Sequence, residues 1–272
     1  MPAGAKKDGS IWEGIETVGT VCYNFEPMFK KIDFHVHTPA SSCYLDHIDT
    51  SHGPTYARDI VAAARAMGLG AIAITDHNTA EGIEAMRKAA ADAGIVVFPG
   101  MEISARGGHV LATFDPSTPV ETLHRLVSDL KLRKHQMGQG FEEAPMSIDE
   151  VFEVIAGAGG MAIAAHVDRR PRGFAVSEEL RREEKQRIYS SSYLAAIEIT
   201  VPFDKVNWNK GLMPGYPVGK ACIQGSDAHA PEEMGRRPVY MDLERLDLAG
   251  VRAAFEHPES CIRFPSEVMA NT

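Results

Sequence analysis

Seven short apolar runs alternate with helical patterns from Lys31 onward, and this alternation restricts the fold more than any other feature. Nearly continuous apolar strands separated by helices predict a parallel sheet covered by helices. The helical segments, several of them closed by glycine, occupy residues 56–68, 80–94, 120–132, 147–159 and 177–192. Seven units predict an α/β barrel of TIM-like type, with strands near residues 32–36, 71–75, 95–98, 109–114, 161–165, 195–200 and 221–224.

The chain length supports one domain with a short N-terminal addition. Its 272 residues can bury a large core, and α/β barrels of this size commonly form one domain. We assign residues 1–30 to an N-terminal extension and residues 31–272 to the barrel domain. Residues 16–25 are a candidate for a strand added to the outside of the barrel.

Charge and cysteine usage narrow the functional classes. The chain has 28 Lys and Arg against 37 Asp and Glu, a formal charge of -9, which disfavours binding of extended nucleic acid by the general surface. The four cysteines are far apart, and neither a leader pattern nor a bilayer-length apolar run is evident. We therefore expect a cytoplasmic protein that is not associated with a membrane.

Histidines and acids stand at the ends of the predicted strands. His35 and His37 lie two residues apart on the first strand, so their side chains point to the same face. Barrel enzymes have their active sites at the carboxyl ends of the strands, and we expect the polar residues there to converge. The set is His35, His37, Asp76, His77, Glu102, His109, His166, Asp227 and His229.

A divalent metal centre explains this set best. One buried histidine alone is more often a hydrogen-bonded core residue than a ligand. Crowded imidazoles and carboxylates, however, would be poorly satisfied without a cation. Six histidines with two or three carboxylates exceed the ligands of one catalytic ion, which predicts two or three ions. The set contains no thiolate, and it leaves Mn²⁺, Fe²⁺ and Zn²⁺ open.

Six motifs in order resemble those of the PHP family, named for polymerase and histidinol phosphatase domains. They are FHVHT, AIAITDHNT, GMEIS, GGHVLATF, AAHVD and GSDAH, and the resemblance covers about Lys31 to Tyr240. The resemblance implies a distorted seven-stranded (β/α) barrel with a bi- or trinuclear metal centre. It also implies phosphoesterase activity, which many members of the family have.

The resemblance also implies a distribution of ligands. One ion would be held by His35, His37, Glu102 and Asp227, and a second by His77 and His229. A third would share Glu102 with His109 and His166. Asp76 has two interpretations of equal weight: it orients an imidazole, or it caps the helix that follows it.

One position departs from the family pattern. The family has an aspartate ligand of the second ion where this chain has Ser42. Asp46 is our candidate for its replacement, with His47 as the alternative. If neither binds, the second site is weaker or empty.

The implied chemistry is hydrolysis by a metal-activated hydroxide. His229 and Asp227 are our catalytic candidates, with His229 or a metal-bound water supplying a proton to the leaving group. Arg169 and Arg236 are the candidates for binding a phosphate, because guanidinium groups match its geometry. Solvent-facing loop arginines are an equally good interpretation of either residue.

These observations predict a metal-dependent phosphoesterase that hydrolyses a small phosphorylated substrate, a phosphomonoester or a nucleotide-like molecule. An amidohydrolase that cleaves C–N bonds is one alternative, although the closing motif and Glu102 fit it less well. A second alternative is an accessory module for metal binding or nucleic-acid processing without strong catalysis.

Overall fold

A single mixed sheet organises the computed structural model, which describes residues 29–44 and 55–269. The order of its nine strands is β7-β6-β5-β4-β3-β2-β1-β8-β9, and β1 to β7 are the seven predicted strands. The strands are β1 (Phe29–Val36), β2 (Ala71–Ile74), β3 (Val96–Ala105), β4 (Gly108–Thr113), β5 (Met161–Ala164), β6 (Leu194–Glu198), β7 (Ala221–Ile223), β8 (Val239–Asp242) and β9 (Ile262–Arg263).

Helices connect most of these strands. The five predicted helices are present as α1 to α5, and four more helices follow them in the described residues. Within the described residues they are α1 (Thr55–Ala66), α2 (Ile83–Ala90), α3 (Val120–Asp129), α4 (Ile148–Gly157), α5 (Arg182–Tyr189), α6 (Lys205–Asn209), α7 (Leu248–Glu256), α8 (Pro258–Cys261) and α9 (Pro265–Met269). None of them is both long and apolar enough to cross a bilayer.

Helix α5 begins later than the sequence predicts. The prediction places its start at Ser177, whereas the helix starts at Arg182. The main-chain N–H of Arg181 donates to the Glu184 carboxylate at 3.0 Å, which closes the first turn at this point. Charged residues with high helix propensity continue the pattern toward Ser177, so spacing alone misplaces the end.

The prediction of an all-parallel sheet is wrong in one region. Strand β4 is antiparallel to both β3 and β5, while β1, β2 and β3 are parallel, as are β5, β6 and β7. Only Arg106 and Gly107 separate β3 from β4, and a parallel crossover needs about a dozen residues. Gly107 has a φ of 101°, which a glycine adopts at little cost.

The sheet curls into a nearly closed barrel, which confirms the predicted distorted TIM-like fold. The N-terminal half of β1 pairs with β8, and its carboxyl end forms a parallel bridge between Val36 and Ala228, just beyond β7. The His37 N–H donates to the Ala228 carbonyl at 2.9 Å across this closure. The first and seventh strands therefore meet only at one end.

Apolar side chains fill the barrel below its mouth, the end at which the carboxyl ends of the parallel strands meet. Every residue of β2 and β5 is buried, and so is every residue of β4. Large buried groups include Phe34, Phe98 and Phe152. Burying such side chains is what fixes the strand faces, and it leaves the polar residues at the carboxyl ends facing one another. The predicted N-terminal extension lies outside the described residues apart from its last two, Phe29 and Lys30, which begin β1.

Candidate metal centre

The strand ends bring the predicted histidines and acids together in one buried cluster. His35 and His37 come from β1, Glu102 from β3, and His77 follows β2. Residues after β5 and β7 supply His166, Asp227 and His229. All of these except His229 are buried, and Asp46 lies outside the described residues.

His109 reaches the cluster because β4 runs in the opposite direction. It is the second residue of β4 and pairs with Ser104 near the end of β3. The beginning of an antiparallel strand lies at the same edge as the carboxyl ends of its neighbours. The unexpected strand direction therefore places this histidine at the same mouth as the others.

Four donor atoms form the most compact part of the cluster. Nε2 of His35 lies 3.2 Å from Nε2 of His37, 3.2 Å from Glu102 Oε2 and 3.3 Å from Asp227 Oδ1. Nε2 of His37 lies 3.3 Å from Glu102 Oε2 and 3.2 Å from Asp227 Oδ1. A tetrahedral ion with bonds of about 2.1 Å separates its donors by about 3.4 Å. The four atoms are spaced as the ligands of one divalent ion.

Glu102 joins this group to the rest of the cluster. Its Oε2 also lies 3.0 Å from His77 Nδ1. Its Oε1 lies 2.7 Å from His109 Nδ1 and 3.1 Å from His166 Nε2. The two oxygens of one carboxylate therefore face different imidazoles, which is the arrangement of a bridging ligand.

A third group consists of imidazoles alone. Ring nitrogens of His37, His77 and His229 lie within 4.8 Å of one another. His229 donates from Nδ1 to the main-chain carbonyl of Asp227 at 2.9 Å, which leaves Nε2 as a lone-pair donor. This group contains His77 and His229, the two residues predicted for the second ion, together with His37, which was predicted for the first.

Glu198 fixes the orientation of His35. Its carboxylate oxygens lie 3.0 and 3.2 Å from His35 Nδ1, and the same group accepts the main-chain N–H of His166 at 3.0 Å. A proton held on Nδ1 leaves Nε2 free to bind a cation, as in metal sites with a carboxylate behind the histidine.

Asp76 acts on His37 through a hydroxyl group. The Ser41 hydroxyl donates to Asp76 Oδ1 at 2.8 Å and lies 3.0 Å from His37 Nδ1. Asp76 also accepts hydrogen bonds from the N–H and hydroxyl of Thr38, both at 2.7 Å. The alternative interpretation of Asp76 as a helix cap is wrong, because α2 is preceded by Gly82 at its N-cap.

Two predicted site residues have left-handed backbone conformations. The φ angles are 29° at His166 and 52° at Asp227, a region that non-glycine residues occupy at a cost of about 1 to 3 kcal/mol. Hydrogen bonds to neighbouring strands hold both segments. These conformations turn the two side chains into the mouth instead of along the strand.

The buried charges shift one another's pKa values. Burial disfavours the charged form of Glu102, but the neighbouring His35 and His109 outweigh it and hold the pKa of this carboxyl well below its usual range. Burial also opposes protonation of His35 and His37. Glu198 and Glu102 nevertheless raise the pKa of His35 well above its usual value, and contacts with Asp227 and Glu102 raise the pKa of His37 to about 9.

Two other histidines shift in the opposite direction. Burial lowers the pKa of His109 despite the nearby Glu102. Burial and the positive charge of His37 lower the pKa of His229 to about 4. The His229 imidazole is therefore neutral near pH 7, which suits a metal donor. Its role as a proton donor stays a prediction.

Several buried polar atoms in the cluster form no hydrogen bond. They are His166 Nδ1 and the pair His77 Nδ1 and Glu102 Oε2, which lie 3.0 Å apart without hydrogen-bond geometry. Leaving such atoms unpaired costs about 1 to 3 kcal/mol each, whereas a cation satisfies lone pairs that face one another. The donor types, their spacing and their unpaired atoms all fit divalent metal ions.

Both arginines predicted to bind substrate have protein partners. Arg169 donates to Asp227 Oδ2 at 2.5 Å, on the side of the carboxylate away from the imidazoles. Arg236 donates to the Ser226 carbonyl at 2.8 Å, the Asp227 carbonyl at 3.3 Å and the Glu233 carboxylate at 2.6 Å. Arg169 lies beside the cluster, and Arg236 braces the loop that carries Asp227.

Three residues that support the cluster were not among the predicted site residues. They are Glu198, Ser41 and Asp33. Asp33 accepts the N–H groups of Ser226 and Gly235, both at 3.0 Å, and so ties β1 to the segment after β7. Glu198 is the last residue of β6 and lies at the same mouth as the histidines. Its position at a strand end is the sequence feature that could have identified it as a site residue.

The PHP domain model matches residues 33–198, more than half of the chain. Curated relatives include a 5'-3' exoribonuclease of Haemophilus influenzae, 36% identical over 100 residues that cover 35% of this chain and 33% of the relative. An error-prone DNA polymerase of Symbiobacterium thermophilum is 35% identical over 80 residues, 29% of this chain and 7% of the polymerase. The matches thus span a third or less of these two relatives.

Solved structures share the fold. The lesion-specific endonuclease PfuEndoQ of Pyrococcus furiosus aligns with a TM-score of 0.63 and 14% identity, covering 87% of this chain and 58% of the endonuclease. A candidate metal-dependent phosphoesterase of Bifidobacterium adolescentis aligns with a TM-score of 0.50 and 21% identity, covering 76% of this chain and 90% of that protein. The family match and the donor cluster together support a metal-dependent hydrolase.

Proposed function

The chain belongs to the PHP family, and from that premise we propose that it is a phosphoesterase that hydrolyses small phosphorylated molecules with two or three divalent metal ions. The spacing of donors around Glu102 carries this proposal. One carboxylate faces five imidazoles, with separations of 2.7 to 3.3 Å. An arrangement of this kind suits adjacent ions that share a ligand.

The residues divide among the ions as the resemblance implies. His35, His37, Glu102 and Asp227 would hold one ion, and His77 with His229 a second. Glu102, His109 and His166 would hold a third. When bound, such ions polarise a phosphoryl group and lower the pKa of a coordinated water.

The chain's own groups prepare the site for this chemistry. Glu198 and Ser41 hold the Nδ1 protons of His35 and His37 on the side away from the centre, so both Nε2 atoms face inward. Arg169 lies with its side chain 38% exposed at the edge of the cluster. We propose that a phosphate draws part of this guanidinium from Asp227 and is oriented by it.

A cleft beside His109 offers room for the rest of a substrate. It has a volume of about 460 Å³ and is lined by Gly108, Phe141, Arg170 and Arg172, among others. The carbonyl of Arg172 accepts the N–H of His109 at 3.2 Å, so the cleft adjoins the metal cluster. Its volume suits a molecule of nucleotide size better than a long polymer.

One observation favours a second candidate function, hydrolysis of short single-stranded nucleic acid. Phe141 is 78% exposed at this cleft, and the Arg172 guanidinium lies 5.4 Å from the centre of its ring. An exposed aromatic ring beside an arginine can stack a base. Relatives of the chain include an exoribonuclease and a DNA polymerase, although they match over short segments.

Hydrolysis of p-nitrophenyl phosphate tests the proposed activity. We expect activity with added Mn²⁺ or Zn²⁺, and its loss in His77→Ala, because this imidazole lies between two of the donor groups. His124→Ala is the matched control, since His124 lies on the exposed face of α3. A wild-type protein that binds metal yet hydrolyses no phosphoester would contradict the proposal.

Phe141→Ala distinguishes the two substrate classes. If bases stack on Phe141, the variant loses activity toward a 5'-phosphorylated oligonucleotide more than tenfold and keeps its activity toward p-nitrophenyl phosphate. Phe203→Ala is the control, because Phe203 is 88% exposed and does not line the cleft. Equal rates in wild type and Phe141→Ala would leave the small-molecule phosphoesterase as the function.

A further inference from the structure

The segment after β1 places a thiol where the family pattern has a carboxylate. Ser42, at the family's aspartate position, turns away from the cluster. Its hydroxyl donates to the Gln139 side chain at 3.1 Å, and its N–H donates to the Gly138 carbonyl at 2.8 Å. The neighbouring residue, Cys43, points to the cluster instead.

Cys43 contacts both histidines of the second site. Its Sγ lies 3.0 Å from Nε2 of His229, the nitrogen that His229 leaves free. It also lies near the His77 side chain. Within the described residues, the group His37, His77 and His229 contains no carboxylate. The Cys43 thiol lies beside this group.

A second observation shows that this corner needs a ligand. The His77 side chain is only 8% exposed, and its Nδ1, which lies 3.0 Å from Glu102 Oε2, forms no hydrogen bond. An unpaired nitrogen in such a position is costly unless a cation binds it. The need for a cation and the nearby thiol are independent features of the same group.

We infer that Cys43 is a metal ligand, which as a thiolate completes the His77 and His229 site in place of the family's aspartate. This inference rests on the metal centre of the proposed function. On binding, the Sγ–H bond breaks, its proton goes to solvent, and a bond from sulfur to the metal forms. A tetrahedral site with bonds of about 2.3 Å to sulfur and about 2.1 Å to nitrogen separates these donors by about 3.6 Å.

The thiol needs to move by only about half an ångström from His229 to reach this separation. The residue is exposed, at the surface end of the cluster, so no core packing opposes the movement. Imidazole and thiolate donors together favour Zn²⁺ over Mn²⁺ and Mg²⁺, which prefer oxygen ligands. The second site is therefore a zinc site.

Cobalt substitution tests this assignment without using activity. We expect the Co²⁺-loaded wild-type protein to show a near-ultraviolet sulfur-to-cobalt charge-transfer band, because Cys43 binds the ion directly. The band disappears in Cys43→Ser, while the weaker visible bands of Co²⁺ bound to histidines remain. Cys22→Ser and Cys261→Ser are the matched controls and keep the charge-transfer band.

Thiol protection gives a second readout. Iodoacetamide modifies Cys43 in the metal-free protein, and one equivalent of Zn²⁺ at the second site slows this reaction more than tenfold. Cys43→Asp restores the family's ligand type, and its affinity shifts from Zn²⁺ toward Mn²⁺.

The two proposals fail in different ways. The assignment of Cys43 as a ligand is wrong if Co²⁺ binds to the histidines without a charge-transfer band, or if Zn²⁺ does not protect Cys43 from iodoacetamide. Either result leaves the proposed phosphoesterase activity unaffected. A wild-type protein that binds no Co²⁺ or Zn²⁺ overturns both.

Discussion

Single residues behind the cluster decide which nitrogen of each imidazole faces it. Glu198 holds the Nδ1 proton of His35, and the Ser41 hydroxyl, itself anchored on Asp76, does the same for His37. A histidine has two chemically similar nitrogens, so a metal site is only as well ordered as these partners make it. We therefore expect them to contribute to metal affinity through the imidazoles that they orient.

Glu198→Gln is therefore expected to weaken metal binding by about 10- to 100-fold. The amide keeps the shape of the carboxylate but loses the negative charge that holds the Nδ1 proton of His35. Competition with a coloured zinc chelator measures the change. Glu244→Gln, an exposed carboxylate in a loop, is the matched control. An affinity in Glu198→Gln within twofold of wild type would show that Glu198 does not orient His35.

Metal binding is expected to release protons near pH 7.5. The pKa of His37 is about 9 in the metal-free protein, and the pKa of His35 is also raised, so both imidazoles start protonated. A metal binds only the neutral form. Affinity should thus fall as the pH drops below about 9, and proton release should diminish above it. A pH indicator in weak buffer measures the release. Metal uptake without protons at pH 7.5 would contradict these pKa values.

The β3–β4 hairpin is the element that completes the cluster. It pairs Ser104 with His109 and so brings an imidazole to within 2.7 Å of Glu102. The turn depends on Gly107, whose φ is 101°, and a Cβ on this residue would lie 2.6 Å from a methyl carbon of Leu180. Both the backbone conformation and the close approach require glycine.

Gly107→Ala is expected to lower the free energy of unfolding by about 2 kcal/mol, from backbone strain and from the clash with Leu180. Urea denaturation of the metal-free protein measures it. Gly94→Ala is the control, because Gly94 has a φ of 71° but no neighbour within 4 Å of an added Cβ. Its loss should be about 1 kcal/mol. Equal losses in the two variants would exclude the clash.

The sequence predicts the strands of the barrel but not all of their directions. Apolar runs predicted all seven barrel strands, since most of their residues are buried. The direction of β4 could not be read from that pattern, because hydrophobicity does not record which way a strand runs. The short connection of two residues between β3 and β4 indicates an antiparallel pair. The family resemblance instead predicted a barrel with helical crossovers.

The candidate site, like the fold, was only partly predictable from the sequence. Donor residues at strand ends are visible in a sequence because they interrupt apolar runs. Partners such as Glu198 and Ser41 depend on side-chain directions across the barrel, which the sequence does not specify. The family pattern aligns Ser42 with the aspartate ligand, but the loop conformation, which the sequence does not specify, decides that Cys43 and not Ser42 faces the histidines.

For the whole molecule, the contacts that close the barrel also position the donors of the centre. Asp33 ties β1 to Ser226 and Gly235, and the Val36–Ala228 bridge holds Asp227 opposite His35 and His37. The donors come from six separate strand ends, so no local segment forms the site alone. Bound metal should therefore stabilise the closed barrel by mass action.

Anomalous diffraction from crystals soaked in Zn²⁺ or Mn²⁺ tests the central claim most directly. The account predicts a strong peak at the metal absorption edge about 2.0 to 2.2 Å from Nε2 of His35 and His37 and from the facing oxygens of Glu102 and Asp227. At least one further peak should lie beside His77. The account would be contradicted if the soaked crystals showed peaks only on the protein surface and none among these four residues.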